Sequence, residues 1–493
     1  MGNKAMSAGQ FLKQANQLKR AGRLDEAIAL YHQAIEINPN FAWLHSNLGD
    51  ALAQQNYFDE AVACFNQALE ISSGTAFFYY QLSEAFGKQN KFNQALIYFD
   101  TLIKTHTNLE KLNLYTKGLN SNYFSQKKIK KSELWNALKF AIILEQRGEI
   151  KEAANLYKKI IEDSPYQYFE IYNKRGKLLL EMGERKWAVN NFEKAVFLNP
   201  NSAEYYLNLA EAVNRWSLSV KYYRTAVKLN PVALKKYYDT IKPNNSEEIK
   251  VKNPVFVVGC GHSGTSIMLA LLGSHPSFYP IPYESAIFLH NLRKIEETMQ
   301  NWDEECLAAG KSRWVEKTPP HIFQIGKFLK IRPQSRFILM LRDGRDVVCS
   351  LKDRPDSGYD KFWERLDRWI YDNLAGLLYW DDPRVKVVKY EDLVTNPEAT
   401  LRNILHFLDE KYDDKILKFH QTERRWYSSE IIKPEKINSI TEHKQYRNWQ
   451  INQPLFDGRG RWKEEMTEGE KVIFKKKAQK YLLEFGYVED DNW

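Results

Sequence analysis

The sequence predicts a multidomain chain: an all-α repeat array followed by an α/β domain built on a central parallel sheet. Three observations predict it. Across residues 8–236, small residues and aromatics recur with a period near 34 residues, the length of a helix–turn–helix unit. Residues 254–267 read as a buried strand, a glycine-rich turn and the start of an apolar helix. Beyond them, further apolar strand candidates alternate with helical patterns. With 493 residues the chain exceeds what one compact core holds.

In the array, Ala15, Gly49, Ser83, Ala141, Gly176 and Ala210 mark the packing point of each first helix. Ala27, Ala61, Ala95, Ala153 and Ala188 mark each second helix, and Tyr31, Phe65, Phe99, Tyr157 and Phe192 follow four residues later. Small residues let the helices of a hairpin approach, and the aromatics fill the space between repeats. Pro39, Pro165, Pro200 and Pro231 close several units. The pattern is the signature of tetratricopeptide repeats, in about six helix pairs with an insertion near 105–131. The last unit departs from it: residues 214–222 are short for a full turn and helix start, which suggests a capping repeat. The concave face of such an array binds an extended peptide or another protein, or holds the second half of the chain. A polar stretch at 237–253 reads as the linker, and 254–488 as the second domain.

In the second domain, strands are expected at Val255 to Val258, Arg313 to Glu316, Arg336 to Leu341 and Val385 to Lys389. Ligands in parallel sheets sit at the carboxyl ends of strands. The turn with Gly259, Gly261 and Gly264 exposes backbone N–H groups at a helix start, and Ser263, Thr265 and Ser266 add hydroxyls, which together make an anion site. Gly259 and Gly264 keep the spacing of a nucleoside-triphosphate loop, but Thr265 stands where its lysine belongs, so a smaller anion is favoured. The alternative is an ordinary tight turn. Arg342 ends its strand and Ser350 lies in the next helix, so both can reach one phosphate; the alternative pairs Arg342 with Asp343 or Asp346. Trp363, Trp369, Tyr371 and Trp380 read as core before acceptor contacts.

These segments resemble those of sulfotransferases. Residues 254–267 look like the loop that binds the 5′-phosphosulfate, and Arg342-Asp-Gly-Arg…Ser350 like the 3′-phosphate segment. Val388-Lys-Tyr-Glu-Asp-Leu393 and Gly458-Arg-Gly-Arg-Trp-Lys463 extend the likeness, which is nearest to the protein-tyrosine sulfotransferase branch. The resemblance implies 3′-phosphoadenosine 5′-phosphosulfate as co-substrate, without a metal. By it, Gly261, His262, Ser263, Gly264, Thr265 and Ser266 hold the phosphosulfate, Arg342 and Ser350 the 3′-phosphate, and Tyr390 lies near the donor. Ser429, Lys433 and Arg459 are further donor contacts by the same match. His262 stands where most relatives carry Arg or Lys; a charged histidine could do the same work.

The resemblance also implies the chemistry: a sulfuryl group moves to an acceptor hydroxyl, on a protein or peptide brought by the repeats, or on a carbohydrate or small molecule. Glu284 is the expected base, with a pKa raised by apolar neighbours, and Lys317 meets the leaving oxygen while Glu316 positions it. His290 and His321 are the alternative bases. The rival reading is an inactive scaffold whose array is the working part. Net charge is +9, compatible with a phosphate-bearing ligand or with solubility alone. Nucleic-acid binding is not expected, although 127–131 is basic. No apolar run of about 18 residues predicts a membrane span. Cys64, Cys260, Cys306 and Cys349 form no paired motif, and a cytoplasmic location follows as the expectation.

Overall fold

The computed structural model describes residues 6–105, 124, 128–164, 168–241, 251–352, 361–434, 437, 439–490 and 492–493. Pro165, the linker core at 242–250 and most of the 105–131 insertion lie outside the described residues. The chain divides into two compact units, Met1–Pro200 and Asn201–Trp493.

The first unit is a solenoid of antiparallel helix pairs: Ala8–Arg20 with Leu24–Ile37, Ala42–Gln54 with Phe58–Ile71, Ala76–Lys88 with Phe92–Thr105, Leu134–Gln146 with Ile150–Asp163, and Phe169–Glu181 with Arg185–Leu198. Its packing follows the periodic residues. A Cβ on Gly49 would lie 2.7 Å from Phe65, and one on Gly176 2.6 Å from Phe192, so only glycine lets each aromatic lie against its partner helix. Tyr31, Phe65, Phe99, Tyr157 and Phe192 are all buried, which is the placement the period demands.

The second unit opens with the sixth helix pair, Ala203–Ala212 and Trp216–Leu229, followed by a helix at Pro231–Asp239. The first helix of the pair has 10 residues, and although 214–222 looked short for a full turn and helix start, the second helix runs its full 14 residues. The pair packs on the α/β core through polar anchors. Arg224 grips Asp372 with two bonds of 2.6 and 3.2 Å, Lys327 bonds Glu211 at 2.8 Å, and Gln324 donates to Tyr223 at 2.7 Å.

The core is a five-stranded sheet, all parallel: β1 (Val255–Gly259), β2 (Phe278–Pro280), β3 (Arg313–Lys317), β4 (Arg336–Leu341) and β5 (Val385–Lys389), in the order β2-β3-β1-β4-β5. β2 is the strand the sequence did not reveal, since three residues ending in proline carry too little pattern. β1, at the centre, is buried throughout, as a parallel strand covered on both faces must be. The sheet order brings all five carboxyl ends to one edge. Glu284 follows β2, Lys317 ends β3, the glycine turn follows β1, Arg342 follows β4 and Tyr390 follows β5. Among the described residues no helix is long and apolar enough to cross a membrane.

Candidate active site

A cavity of about 290 Å³ opens at that edge of the sheet. Its wall includes Gly261, His262, Gly264, Thr265 and Ser266 from the glycine turn, with Glu284, Arg342, Ser350 and Tyr390. Nearly all the anion-site residues expected from the sequence are therefore brought together.

The turn is shaped for backbone access. Gly264 has φ +89°, and a Cβ there would lie 2.8 Å from the Tyr390 ring; a Cβ on Gly261 would strike the Arg368 guanidinium at 2.1 Å. The helix Thr265–Leu272 starts directly after Gly264 and aims its N-terminus at the turn. The Ser263 hydroxyl is fully buried and makes no hydrogen bond within the protein. A buried hydroxyl without a partner, beside a glycine turn at a helix N-terminus, fits an anion site better than an ordinary turn. Among the described residues no cluster of His, Cys, Asp and Glu could hold a metal ion.

Arg342 does not pair with Asp343 or Asp346. Asp343 binds Arg345 at 2.7 Å, and Asp346 accepts from the Gly460 amide at 2.9 Å. Arg342 instead donates to the His262 carbonyl at 3.1 Å and the Gly458 carbonyl at 2.5 Å, while its guanidinium lies over the Tyr390 ring at 4.4 Å. It thus straps the glycine turn to the 458 segment, and the Tyr390 hydroxyl reinforces the strap through Phe456 O at 3.0 Å. His262 adopts φ +72°, rare for a residue with a side chain. Its Nδ1 lies 2.8 Å from Ser350 Oγ and its ring stacks on His443.

Glu284 is the electrostatic centre of the opposite wall. Its Oε1 accepts from Lys317 Nζ at 2.5 Å and from Arg447 Nη2 at 2.7 Å. Burial pushes its pKa up, but Arg447 and Lys317 together outweigh burial and hold the carboxyl well below the usual carboxylate range. The expected upward shift is therefore wrong: the apolar neighbours in sequence matter less than two cations from distant elements. Tyr427 shares this environment. Burial would raise its phenol, yet Lys317 and Arg447 bring it below the ordinary tyrosine value.

Other expectations are corrected by position. Glu316 does not hold Lys317, because adjacent strand residues face opposite sides of the sheet. It takes the Ser285 hydroxyl at 2.8 Å, Thr318 Oγ1 at 2.5 Å and His321 at 3.0 Å. His321 is fully buried in that network and does not line the cavity, and His290 is exposed at the end of the turn Ile287–Leu289. Ser429 and Lys433 are exposed and outside the cavity wall; Lys433 lies over Trp449. Arg459 is exposed and paired with Asp457 at 2.7 Å, while its neighbours Gly458 and Arg461 line the cavity instead. Trp369 is core, and its indole N–H bonds the Arg342 carbonyl at 3.0 Å.

Among the cavity residues not singled out from the sequence are Arg447, Arg368 and Trp216. Arg447 belongs to the helix Ile440–Gln450, Arg368 to Phe362–Leu377, and Trp216 to the last helix pair, where it packs edge-on against Phe288. Nothing local marks them; only the fold brings them to the sheet edge.

The comparisons with known proteins match parts of both halves of the chain. A model described as "Sulfotransferase family" matches residues 305–414, a span that includes Lys317, Arg342, Ser350 and Tyr390. Models of the TPR repeat and the tetratricopeptide repeat match 15–56 and 42–74. The chain is 26% identical over 232 residues to protein-tyrosine sulfotransferase A of Caenorhabditis elegans, covering 38% of this chain and 60% of that one. It is 23% identical over 235 residues to the protein-tyrosine sulfotransferase of Drosophila melanogaster, covering 38% of this chain and 46% of that one. An uncharacterized protein of Aquifex aeolicus (strain VF5) matches at 23% over 211 residues, 35% of this chain and 28% of its own. The chain thus spans well under two-thirds of the length of each of these relatives. Among solved structures, the TPR protein YrrB aligns at 19% identity over 39% of this chain and 87% of its own, with a TM-score of 0.22, too low to bear on function. The chain joins tetratricopeptide repeats in its first half to a sulfotransferase-family domain in its second.

Proposed function

We propose that the second unit transfers a sulfuryl group from 3′-phosphoadenosine 5′-phosphosulfate to an acceptor hydroxyl, on a protein or peptide recruited by the repeats. The observation that carries the reading is Glu284 set between Lys317 and Arg447, with Ser266 of the glycine turn 3.3 Å from the same arginine nitrogen. An acid–base group, the Arg447 cation and an anion loop thus share one cavity, with Lys317 buried behind Glu284.

The donor supplies the sulfuryl group and a phosphate oxygen as leaving group. In the transfer, the acceptor oxygen forms a bond to sulfur as the bond from sulfur to the leaving oxygen breaks. The electron pair stays on the leaving oxygen and the acceptor proton goes to Glu284. Both cations contact Oε1, so Oε2 is the oxygen that takes the proton. Holding Glu284 ionised keeps it ready to accept at neutral pH, at the cost of a weaker base. The glycine-turn amides, Ser263 and Ser266 hold the phosphosulfate oxygens, and Lys317 meets charge growing on the leaving oxygen. Arg342 and Ser350 stand on the side of the 3′-phosphate. A reducing, cytoplasmic setting is part of the same proposal.

The test is transfer of labelled sulfate from the donor to a fractionated extract of the host, beside calorimetric binding of adenosine 3′,5′-bisphosphate. Binding together with transfer supports the reading. Binding without transfer to any fraction favours an inactive scaffold, and no binding removes the donor assignment.

A further inference from the structure

We infer that the cation facing the transferred group at the mouth of the glycine turn is Arg447, delivered by the helix Ile440–Gln450, and that it replaces a cation the turn itself lacks. The inference rests on the sulfotransferase reading above.

Three observations carry it. His262, where the turn's own cation was expected, is engaged with Ser350 Oγ at 2.8 Å and the His443 ring. Arg447 Nη2, in contrast, stands between the turn's last hydroxyl and the base, 3.3 Å from Ser266 Oγ and 2.7 Å from Glu284 Oε1. And the guanidinium is fixed in advance, lying 3.8 Å above the Tyr427 ring with its side chain only 18% exposed. A planar, permanently charged fork so held needs no reorganisation when charge develops beside it. Lys317 shares Glu284 but does not contact the turn's hydroxyls, so the two cations divide the work. Lys317 serves the leaving oxygen and Arg447 the oxygens of the moving group.

The assignment ties Arg447 to the acidic limb of the pH–rate profile. The charged and titratable groups around Glu284 are Lys317, Arg447 and the Tyr427 phenol, with His262 and His443 in the same cavity wall. Loss of Arg447 leaves burial opposed by Lys317 alone, so the Glu284 pKa rises and the limb moves to higher pH. An Arg447 that did not hold the Glu284 carboxylate would not move that limb.

The experiment uses the full chain and three variants: R447M, which keeps an apolar stem over Tyr427, R447K, and H262R in the R447M background. Transfer of labelled sulfate to host extract is followed between about pH 3 and 8, with bisphosphate calorimetry and thermal melting on the same samples. We expect R447M to transfer about 100-fold more slowly, with its acidic limb moved upward. R447K should recover part of the rate, and H262R should restore about tenfold to R447M by returning a cation to the turn. Transfer by R447M within about threefold of the unaltered chain, or an unmoved acidic limb, overturns the assignment. A double variant no faster than R447M overturns the replacement. If R447M melts early, R447K carries the same comparison, because it keeps the charge but not the fork. An unaltered chain that binds bisphosphate but transfers nothing overturns the reading above and this assignment with it, whereas a transferring chain insensitive to Arg447 sinks this assignment alone.

Discussion

Asp100 in the repeat array and Glu284 in the cavity have nearly the same surroundings. Each is a carboxylate between two cations. Asp100 meets Lys104 at 2.5 Å and Lys174 at 2.7 Å, and Glu284 meets Lys317 at 2.5 Å and Arg447 at 2.7 Å. Burial pushes both acids up, and in both the cations win: Asp100 is brought down to about 2, and Glu284 well below the carboxylate range. Yet Asp100 joins two helices of the solenoid, Phe92–Thr105 and Phe169–Glu181, whereas Glu284 lies in the wall of a cavity beside an anion turn. A shifted pKa therefore does not identify a site. What distinguishes Glu284 is the company of Ser266, the glycine turn and open space.

The largest effect that sharpens the contrast is D100N. It leaves Lys174, only 6% exposed, without its nearest carboxylate, and should cost the first unit about 3 kcal/mol. Denaturation followed by helical ellipticity reads the loss, and bisphosphate binding should not change. The sign with pH is fixed by the lowered pKa. The Asp100 contribution is complete above about pH 4 and is lost as pH falls towards 2. An unaltered acid-unfolding profile in D100N would break the comparison at its structural end.

E284Q tests the other end. Turnover should drop about 100-fold or more, while bisphosphate binds equally well or more tightly, since a negative charge has left an anion site. Weakened binding with unchanged turnover would make Glu284 the structural twin of Asp100.

R342A should lower bisphosphate affinity about tenfold or more, the worth of a charge-assisted contact together with the lost strap to Gly458. Calorimetry that shows no change removes Arg342 from the donor side. The smallest effect concerns His262. If its charge assists the donor, affinity falls about threefold from pH 6 to 8, and H262A flattens the slope. A steep slope that survives in H262A transfers the effect to His443.

The array was legible almost residue by residue, because each repeat is held by contacts within one short stretch. Gly176 and Phe192 lie in a single hairpin, so the period states the contact. The glycine-turn side of the cavity was legible for a related reason: glycines, hydroxyls and Arg342 sit at strand ends, where the order of elements fixes position. The side around Glu284 was not. Glu284 was found, but the direction of its pKa shift was misjudged because its apolar neighbours in sequence were weighed and the cations paired with it in space were not. Arg447, 163 residues further on, decides it. Arg368 looked like one more polar residue on a helix, and the turn's glycine at 261 gave no hint of the guanidinium behind it. Ser429, Lys433 and Arg459 lie outside the cavity wall, because a match in sequence places a residue on a segment and does not say which way the segment faces.

The sixth helix pair has a consequence for how such chains are put together. It carries the repeat pattern, yet it lies in the second unit, where Arg224 holds Asp372, Asp372 lies 3.7 Å from Arg368, and Arg368 backs Gly261 of the anion turn. Trp216 of the same pair lines the cavity. The natural seam of the molecule is therefore at residue 200, one repeat earlier than the change of fold class. Recombination that exchanges arrays upstream of that seam leaves the cavity whole. An exchange made where the helices end would carry off a wall of the cavity and the far end of a charge chain, so the final repeat is inherited with the sheet unit rather than with the array.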